Sequence, residues 1–148
     1  MISQRTYYAL RAVLELAVEY GREPVKIGRI AKTQAIPHRF LEVILNGLKQ
    51  AGFVESRRGA GGGYVLTRAP RSLTVGDVIR SVQGPEVPVS CLRGDAHDTC
   101  ELRGRCVFLP MWRRVDEAVA GIYDQTSFED LVAQQRDSDA SGAHDYVI

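Results

Sequence analysis

The sequence lacks any apolar run near the roughly 20 residues that a helix needs to cross a bilayer. Its first segment carries Arg5 and Arg11 and has no uninterrupted apolar stretch followed by a cleavage site, so we expect no secretory signal. Only three cysteines are present, an odd number that argues against a disulfide framework. We therefore expect a cytoplasmic protein with no membrane partner.

Motifs of nucleotide-dependent enzymes are also missing. The glycine-rich segment 59–63 precedes the strand-prone run YVLTR, whereas a phosphate-binding loop needs a strand before its glycines and a helix after them. No Lys-Ser or Lys-Thr pair follows these glycines, and we find no paired nucleophile and base. We expect neither an enzyme nor a small-molecule substrate.

Charge is distributed unevenly along the chain. Residues 1–70 contain eleven Lys and Arg against five Asp and Glu, a net charge of +6, whereas residues 71–148 contain eight against thirteen, a net charge of −5. A basic half joined to an acidic half is typical of a nucleic-acid-binding module that carries a second module. Chance asymmetry of surface charge is the alternative, and charge alone does not decide between them.

Apolar periodicity predicts three helices, a hairpin and three further helices. The predicted helices cover about residues 3–20, 27–33, 37–51, 74–82, 107–123 and 127–135, and the strands cover 53–57 and 64–68. Thr74 with Asp77 resembles an N-cap pair, and Ser127 is a candidate cap of the last helix. The predicted buried face of the third helix consists of Phe40, Leu41, Ile44, Leu45 and Leu48. A short helix, a tight turn and a second helix form a helix-turn-helix, to which a glycine-tipped hairpin adds a wing.

We therefore predict a mainly α fold with a small β-hairpin, a winged helix-turn-helix followed by a long dimerisation helix. The predicted parts are a DNA-binding domain (1–82), a cysteine-rich cluster-binding loop (83–106), a dimerisation helix with a short terminal helix (107–135) and a disordered tail (136–148).

The second helix of the helix-turn-helix begins near Pro37, and the first residues of such a helix reach base edges in the major groove. These residues are His38, Arg39 and, one turn later, Glu42. Arginine forms bidentate contacts with guanine, and glutamate accepts a hydrogen bond from cytosine N4. An ordinary polar helix face is the alternative, but the hairpin that follows favours binding to a double-stranded DNA operator.

Three further side chains, Arg57, Arg58 and Tyr64, flank the glycine tip of the hairpin. Basic groups at this position can lie along the minor groove or its phosphates. We therefore predict that these residues contact DNA from the wing.

The cysteines Cys91, Cys100 and Cys106 lie in one polar loop, eight and five residues apart in intervening sequence. Structural zinc sites usually have four ligands in closer pairs, whereas an iron–sulfur cluster tolerates this spacing. The same thiols could instead bind zinc or act directly as redox sensors. The loop also contains polar residues that could complete a metal site, namely Asp95, His97, Asp98 and Glu101.

The predicted helix after Cys106 carries a continuous apolar stripe that includes Trp112. Pairing with the same helix of a second copy would cover this stripe and place two recognition helices on successive turns of the major groove. Packing against the first helix of the same chain is the alternative. We predict a homodimer.

The stretch IPHRFLEVILNGLKQAGFVESRRGAGGGYVLTRA, the following SLTVGDVIRSVQGP and the three-cysteine loop together resemble the IscR/NsrR-type (Rrf-two) family of bacterial winged-helix transcription regulators. The resemblance extends to about Val132. Many members bind a 2Fe–2S or 4Fe–4S cluster through three cysteines, so the resemblance implies Cys91, Cys100 and Cys106 as cofactor and metal ligands. It also implies a dimeric regulator that responds to iron, redox state or nitric oxide.

The fourth ligand departs from the family pattern. Members with a histidine ligand carry it shortly after the third cysteine, where this chain has Val-Phe-Leu at 107–109, and members with a first-helix aspartate carry it where this chain has Tyr7. The candidates that stay open are an exogenous small molecule and the side chains of Tyr7, Asp95, His97 and Asp98. The cluster type therefore stays undecided between 2Fe–2S and 4Fe–4S.

The function predicted from the sequence is a sequence-specific repressor whose DNA affinity is controlled by an iron–sulfur cluster. Two alternatives remain, a thiol-redox or zinc-responsive regulator without a cluster, and a winged-helix module that binds a partner protein.

Overall fold

The computed structural model describes residues 1–94 and 100–142. These residues form six helices of the lengths given below and one two-stranded antiparallel sheet, which confirms the predicted mainly α fold with a small hairpin. The elements in chain order are α1 (Gln4–Val18), α2 (Ile27–Gln34), α3 (His38–Gln50), β1 (Val54–Arg57), β2 (Gly63–Leu66), α4 (Val75–Gln83), α5 (Leu109–Gln125) and α6 (Phe128–Ala140). Short 3-10 turns lie at Pro70–Ser72 and Ser90–Leu92.

Side-chain caps define where α4 and α6 begin. Thr74 Oγ1 accepts from the Asp77 N–H (3.1 Å), and the Asp77 carboxylate accepts from the Thr74 N–H (3.0 Å). Ser127 and Asp130 form the same reciprocal pair at the start of α6. Because each pair satisfies two backbone donors that the helix leaves free, both starts can be recognised from the sequence.

The helix-turn-helix is built by α2 and α3 around a tight turn. Ala35 ends α2 in the left-handed conformation (φ +50°), and the Ile36 N–H donates to the Ala31 carbonyl (3.0 Å). Buried Ile36 then anchors the turn in the core, and Pro37 precedes α3. This geometry leaves the first turn of α3 at the surface.

The wing is held against the body by its second strand. Val54 pairs with Leu66 at the inner end of the hairpin, and both are buried. The backbone of Tyr64 exchanges two hydrogen bonds with Val25 (2.8 and 3.0 Å). Gly63 has φ +151°, and a Cβ there would lie 2.5 Å from the Val25 carbonyl oxygen, so glycine is required at this crossing.

One hydrophobic core surrounds α1, which packs against α2, α3, α4, α6 and the wing. The α1 residues at its centre are Ala9, Ala12, Val13 and Leu16. Phe128 and Val132 of α6 are buried in the same core, so the last helix is packed against the first half of the chain.

Two sequence-based expectations need correction. Helix α6 ends at Ala140, five residues beyond the predicted end at Gln135, so residues 136–140 are helical rather than part of a disordered tail. A helix that is capped and anchored by buried side chains propagates through polar residues. Phe40, which the apolar pattern assigns to the buried face of α3, is 44% exposed, and its ring lies 6.3 Å from that of Tyr8.

Helix α5 stands apart from the core, because none of its residues is buried. Its end is attached to α4 by backbone hydrogen bonds from Val75 to Thr126 (3.0 Å) and from Phe128 to Leu73 (3.0 Å), and by an ion pair between Arg80 and Asp124 (2.8 Å). Its exposed apolar residues are Met111, Val115, Val119 and Ile122. Within 1–94 and 100–142, no helix has both the length and the apolar character needed to span a membrane.

Candidate nucleic-acid interface and cysteine loop

The first turn of α3 presents His38 and Glu42 side by side. Their side chains are each more than half exposed, and His38 Nδ1 lies 3.4 Å from Glu42 Oε1. When His38 is protonated this is an ion pair, which offsets the negative charge that Glu42 would otherwise bring towards DNA phosphates. The pair leaves both groups accessible to base edges.

Arg39 projects from the same turn and is exposed. Its guanidinium carbon lies 4.7 Å from the centroid of the Phe40 ring, a cation–π contact that orients the side chain. Within the part of the chain that the structure describes, Arg39 forms no ion pair. Its charge and its forked donors are therefore available for a ligand.

The wing tip is tied to the helix-turn-helix by two lysines. Lys26, which precedes α2, donates through Nζ to the Ala60 carbonyl (2.9 Å), and Lys49 of α3 donates to Ser56 Oγ (2.9 Å). Both hydrogen bonds are exposed to solvent, and they add to the attachment that the backbone pairing of Tyr64 with Val25 provides. Sequence reasoning missed them, since the only local signal is a basic residue among many.

The predicted wing residues occupy different environments. Arg57 is exposed and lies 3.3 Å from Glu55, and Arg58 is exposed with no ion pair among residues 1–94 and 100–142. Tyr64 is half-buried and packs against the core. The two arginines therefore lie at the surface of the wing, while Tyr64 also supports the attachment of the wing to the body.

A buried carboxylate connects α1 to α2. Glu15 is 3% exposed, accepts a hydrogen bond from Gln34 Nε2 (3.0 Å) and lies 3.8 Å from Arg29 Nε. Arg29 also pairs with Glu19 (2.8 Å). These contacts set the position of α2 on α1 and hence the orientation of the helix-turn-helix. The sequence shows no signal for them, because Glu15 looks like any helix-surface glutamate.

The end of α4, from which the cysteine loop departs, is bonded to the start of α1. Thr6 is fully buried and donates through Oγ1 to Gln83 Oε1 (2.6 Å), and the Ser3 N–H donates to the same oxygen (3.1 Å). Thr6 and Gln83 are 77 positions apart, so this hydrogen bond could not be predicted from the sequence.

The three cysteines lie between α4 and α5 as free thiols. Cys91 is half-buried in the turn Ser90–Leu92, Cys100 is exposed, and half-buried Cys106 precedes α5 by three residues. Among residues 1–94 and 100–142, no group of three His, Cys, Asp or Glu side chains is gathered as a metal site. The three thiols fit an iron–sulfur cluster or zinc by donor chemistry.

The candidate fourth ligands are placed differently. Asp95, His97 and Asp98 lie outside the described residues. Tyr7 is 54% exposed on α1, with the guanidinium carbon of Arg11 lying 5.8 Å from its ring centroid. Its hydroxyl-bearing ring is thus at the surface rather than in the core.

Known proteins resemble the chain over most of its length. A family model described as Rrf2, iron-dependent transcriptional regulator, matches residues 2–134. The HTH-type transcriptional regulator CymR of Bacillus subtilis (strain 168) is 37% identical over 132 residues, 89% of this chain and 89% of the relative. The HTH-type transcriptional regulator IscR of Photorhabdus laumondii is 30% identical over 144 residues, 97% of this chain and 86% of the relative. The solved structure of CymR, described as the global cysteine regulator of B. subtilis, has a TM-score of 0.76 at 36% identity and covers 90% of this chain and 97% of that one.

Proposed function

Because the chain belongs to the Rrf2 family of transcriptional regulators, we propose that it is a homodimeric, sequence-specific repressor whose affinity for double-stranded DNA is set by an iron–sulfur cluster. The cluster ligands are Cys91, Cys100 and Cys106. The relatives are named as transcriptional regulators, and the chain is accordingly a regulator rather than an enzyme.

The main observation that supports DNA binding is that the first turn of α3 is exposed and lies beside the basic wing. Arg39 and Arg58 have no ion-pair partner among the described residues, so binding a phosphate or a base would not require breaking an existing pair. The wing is held by the backbone pairing of Tyr64 with Val25 and is contacted by Lys26 and Lys49. Such preorganisation reduces the ordering cost of binding.

Substituting Arg39 tests this interface. A bidentate contact with guanine discriminates by about 1–3 kcal/mol, roughly 5- to 150-fold. We expect Arg39→Ala to lose that much affinity for an operator selected from random sequences. Arg39→Lys is the matched control, because it keeps the charge and loses the planar fork. It should retain affinity for random DNA and lose discrimination. Equal losses on operator and random DNA would show that Arg39 contacts only phosphate.

The exposed stripe of α5 supports the dimer. Its four apolar residues are each 37–65% exposed on a helix with no buried residue. Pairing with a second copy would remove this surface from water. Ile122→Glu should shift sedimentation towards a monomer and weaken operator binding. A dimer unaffected by that change would place the interface elsewhere.

The position of the cysteines supports control by a cluster. Their loop joins the end of α4 to the start of α5, so gathering the three thiols on one cofactor would constrain α5 relative to the recognition helix. When bound, the cluster would supply a group that is sensitive to iron supply and to oxidants. Control requires that its gain or loss changes DNA affinity, because a ligand that binds both states equally shifts nothing.

A second candidate is a cluster-free thiol regulator. The similarity to a protein described as a global cysteine regulator favours it, and all three cysteines are free thiols. In this case oxidation or ligand binding at the cysteines would change DNA affinity directly.

Anaerobic reconstitution separates the candidates. We expect about one cluster per subunit, detected by iron and sulfide analysis and by Mössbauer spectroscopy, and its loss in the variant with all three cysteines changed to serine. Protein without iron whose operator affinity follows thiol oxidation would support the second candidate, and bound zinc would support a zinc-responsive regulator. A serine variant that regulates like the wild type would contradict all three. Failure to bind any sequence in a random-operator selection would favour a partner-protein module.

A further inference from the structure

A large apolar side chain stands exposed in the middle of α3. Val43 is 59% exposed, although α3 buries Leu41 and Ile44 on either side of it in sequence. At 100° per residue, the side of α3 opposite its buried face carries one residue per turn. These exposed residues are Arg39, Val43, Asn46 and Gln50. Val43 is therefore the one apolar member of an otherwise polar stripe.

Burial of Val43 against a second copy does not explain this position well. On one side Val43 borders an apolar groove that Phe40 and Tyr8 also line. Its neighbours along the stripe are Arg39 and Asn46, so an apolar contact centred on Val43 would also remove charged and amide groups from water. Buried polar groups without partners are costly. The exposed apolar stripe of α5, in contrast, offers a contact surface without such groups at its centre.

The edges of DNA bases offer hydrogen-bonding groups to the polar residues of the stripe and an apolar group to Val43. In the major groove, arginine recognises guanine, asparagine and glutamine recognise adenine, and only thymine presents a methyl group that an apolar side chain can contact. We propose that Val43 is a specificity-determining residue that contacts the C5-methyl group of one thymine in each operator half-site. This inference rests on the proposed function, namely that α3 enters the major groove.

The expected effect is small and measurable. Burying the thymine methyl group against Val43 should lower the dissociation constant about fourfold, which is the effect expected from the burial of one CH₂ group. Phosphate contacts should contribute equally with any sequence. The contribution of Val43 should therefore appear on the operator alone.

Replacement of single thymines by deoxyuridine tests the contact with the methyl group directly. The operator selected from random DNA is scanned one thymine at a time, because deoxyuridine lacks only the methyl group. We expect the wild type to lose about fourfold at one thymine per half-site. Val43→Ala should bind the thymine operator about fourfold more weakly and lose nothing more when that same base is replaced.

The variant is expected to fold, because Val43 is exposed and alanine favours a helix more than valine does. Val43→Thr is the matched control, since it keeps one methyl group on Cβ and should retain part of the discrimination between thymine and deoxyuridine. Circular dichroism and sedimentation of each variant accompany the binding assay.

Several results would overturn the inference while leaving DNA binding intact. These are a wild-type protein insensitive to deoxyuridine at every position, a Val43→Ala variant that keeps the full methyl effect, an equal loss on random DNA, and dissociation of the dimer by Val43→Ala. Absence of binding to any DNA would instead contradict the proposed function itself.

Discussion

Substituting Phe128 tests whether α6 is part of the core of the DNA-binding half. The Phe128 side chain is fully buried and lies with Val132 in the cluster that surrounds α1. Replacing a buried phenylalanine by alanine costs about 3–5 kcal/mol, because the transfer free energy is lost and a cavity remains. Domains of this size unfold with about 5–15 kcal/mol in total, so Phe128→Ala should remove a large share of the stability.

Urea unfolding followed by circular dichroism measures the loss. With a denaturant slope of about 2 kcal/mol/M, the midpoint should fall by roughly 2 M. Phe108→Ala is the matched control, because Phe108 is 61% exposed, and its removal should cost about 0.5 kcal/mol or less. Both variants and the wild type are compared at one protein concentration, since any association between chains would contribute to apparent stability.

Two results would refute the reasoning. A loss below about 1 kcal/mol for Phe128→Ala, or equal losses for the two variants, would show that α6 does not belong to the folded core. The consequence would extend to α5, because its end is attached to the body through the junction at residues 124–128.

Two further predictions concern the wing and the contact between α1 and α4. Gly63→Ala should destabilise the protein by about 1–3 kcal/mol in thermal unfolding, because its Cβ would collide with the Val25 carbonyl. Gly61→Ala is the control and should be near neutral, since the space around Gly61 is open. Equal losses of stability in the two variants would contradict the close approach of Gly63 to Val25. Thr6→Val should cost about 0.5–1.5 kcal/mol, because it removes one hydrogen bond to Gln83 Oε1 while the Ser3 N–H still donates to that oxygen. Unchanged stability would show that this hydrogen bond is replaced by water.

Most of the secondary structure could be predicted from local sequence patterns. The reciprocal caps at Thr74 and Ser127 were recognisable because both partners lie within four residues of each other. The turn of the helix-turn-helix was bounded by Pro37, and the hairpin by its glycines. An error arose at Phe40, whose periodic position predicted burial, because the pattern does not show how much of the ring another element covers; the ring lies beside Tyr8 of α1 and is 44% exposed.

The candidate DNA interface was partly predictable from the chain. The exposed positions of Arg39 and Arg58 follow from polar residues at a helix start and at a glycine-rich tip. The contacts of Lys26 with the wing and of Thr6 with Gln83 were not predictable, because they join residues 34 and 77 positions apart. The cluster ligands stay a prediction, since spacing indicates which thiols are available and not how they are arranged.

Periodicity, capping residues and glycine placement by themselves determined the order of helices and strands, because these signals act over a few residues of backbone. Tertiary structure alone decided that α6 completes the core around α1, that the wing is attached through the pairing of Tyr64 with Val25, and that α5 has no buried residue. The physical reason is that burial depends on which surfaces meet, and these surfaces come from segments far apart in the chain.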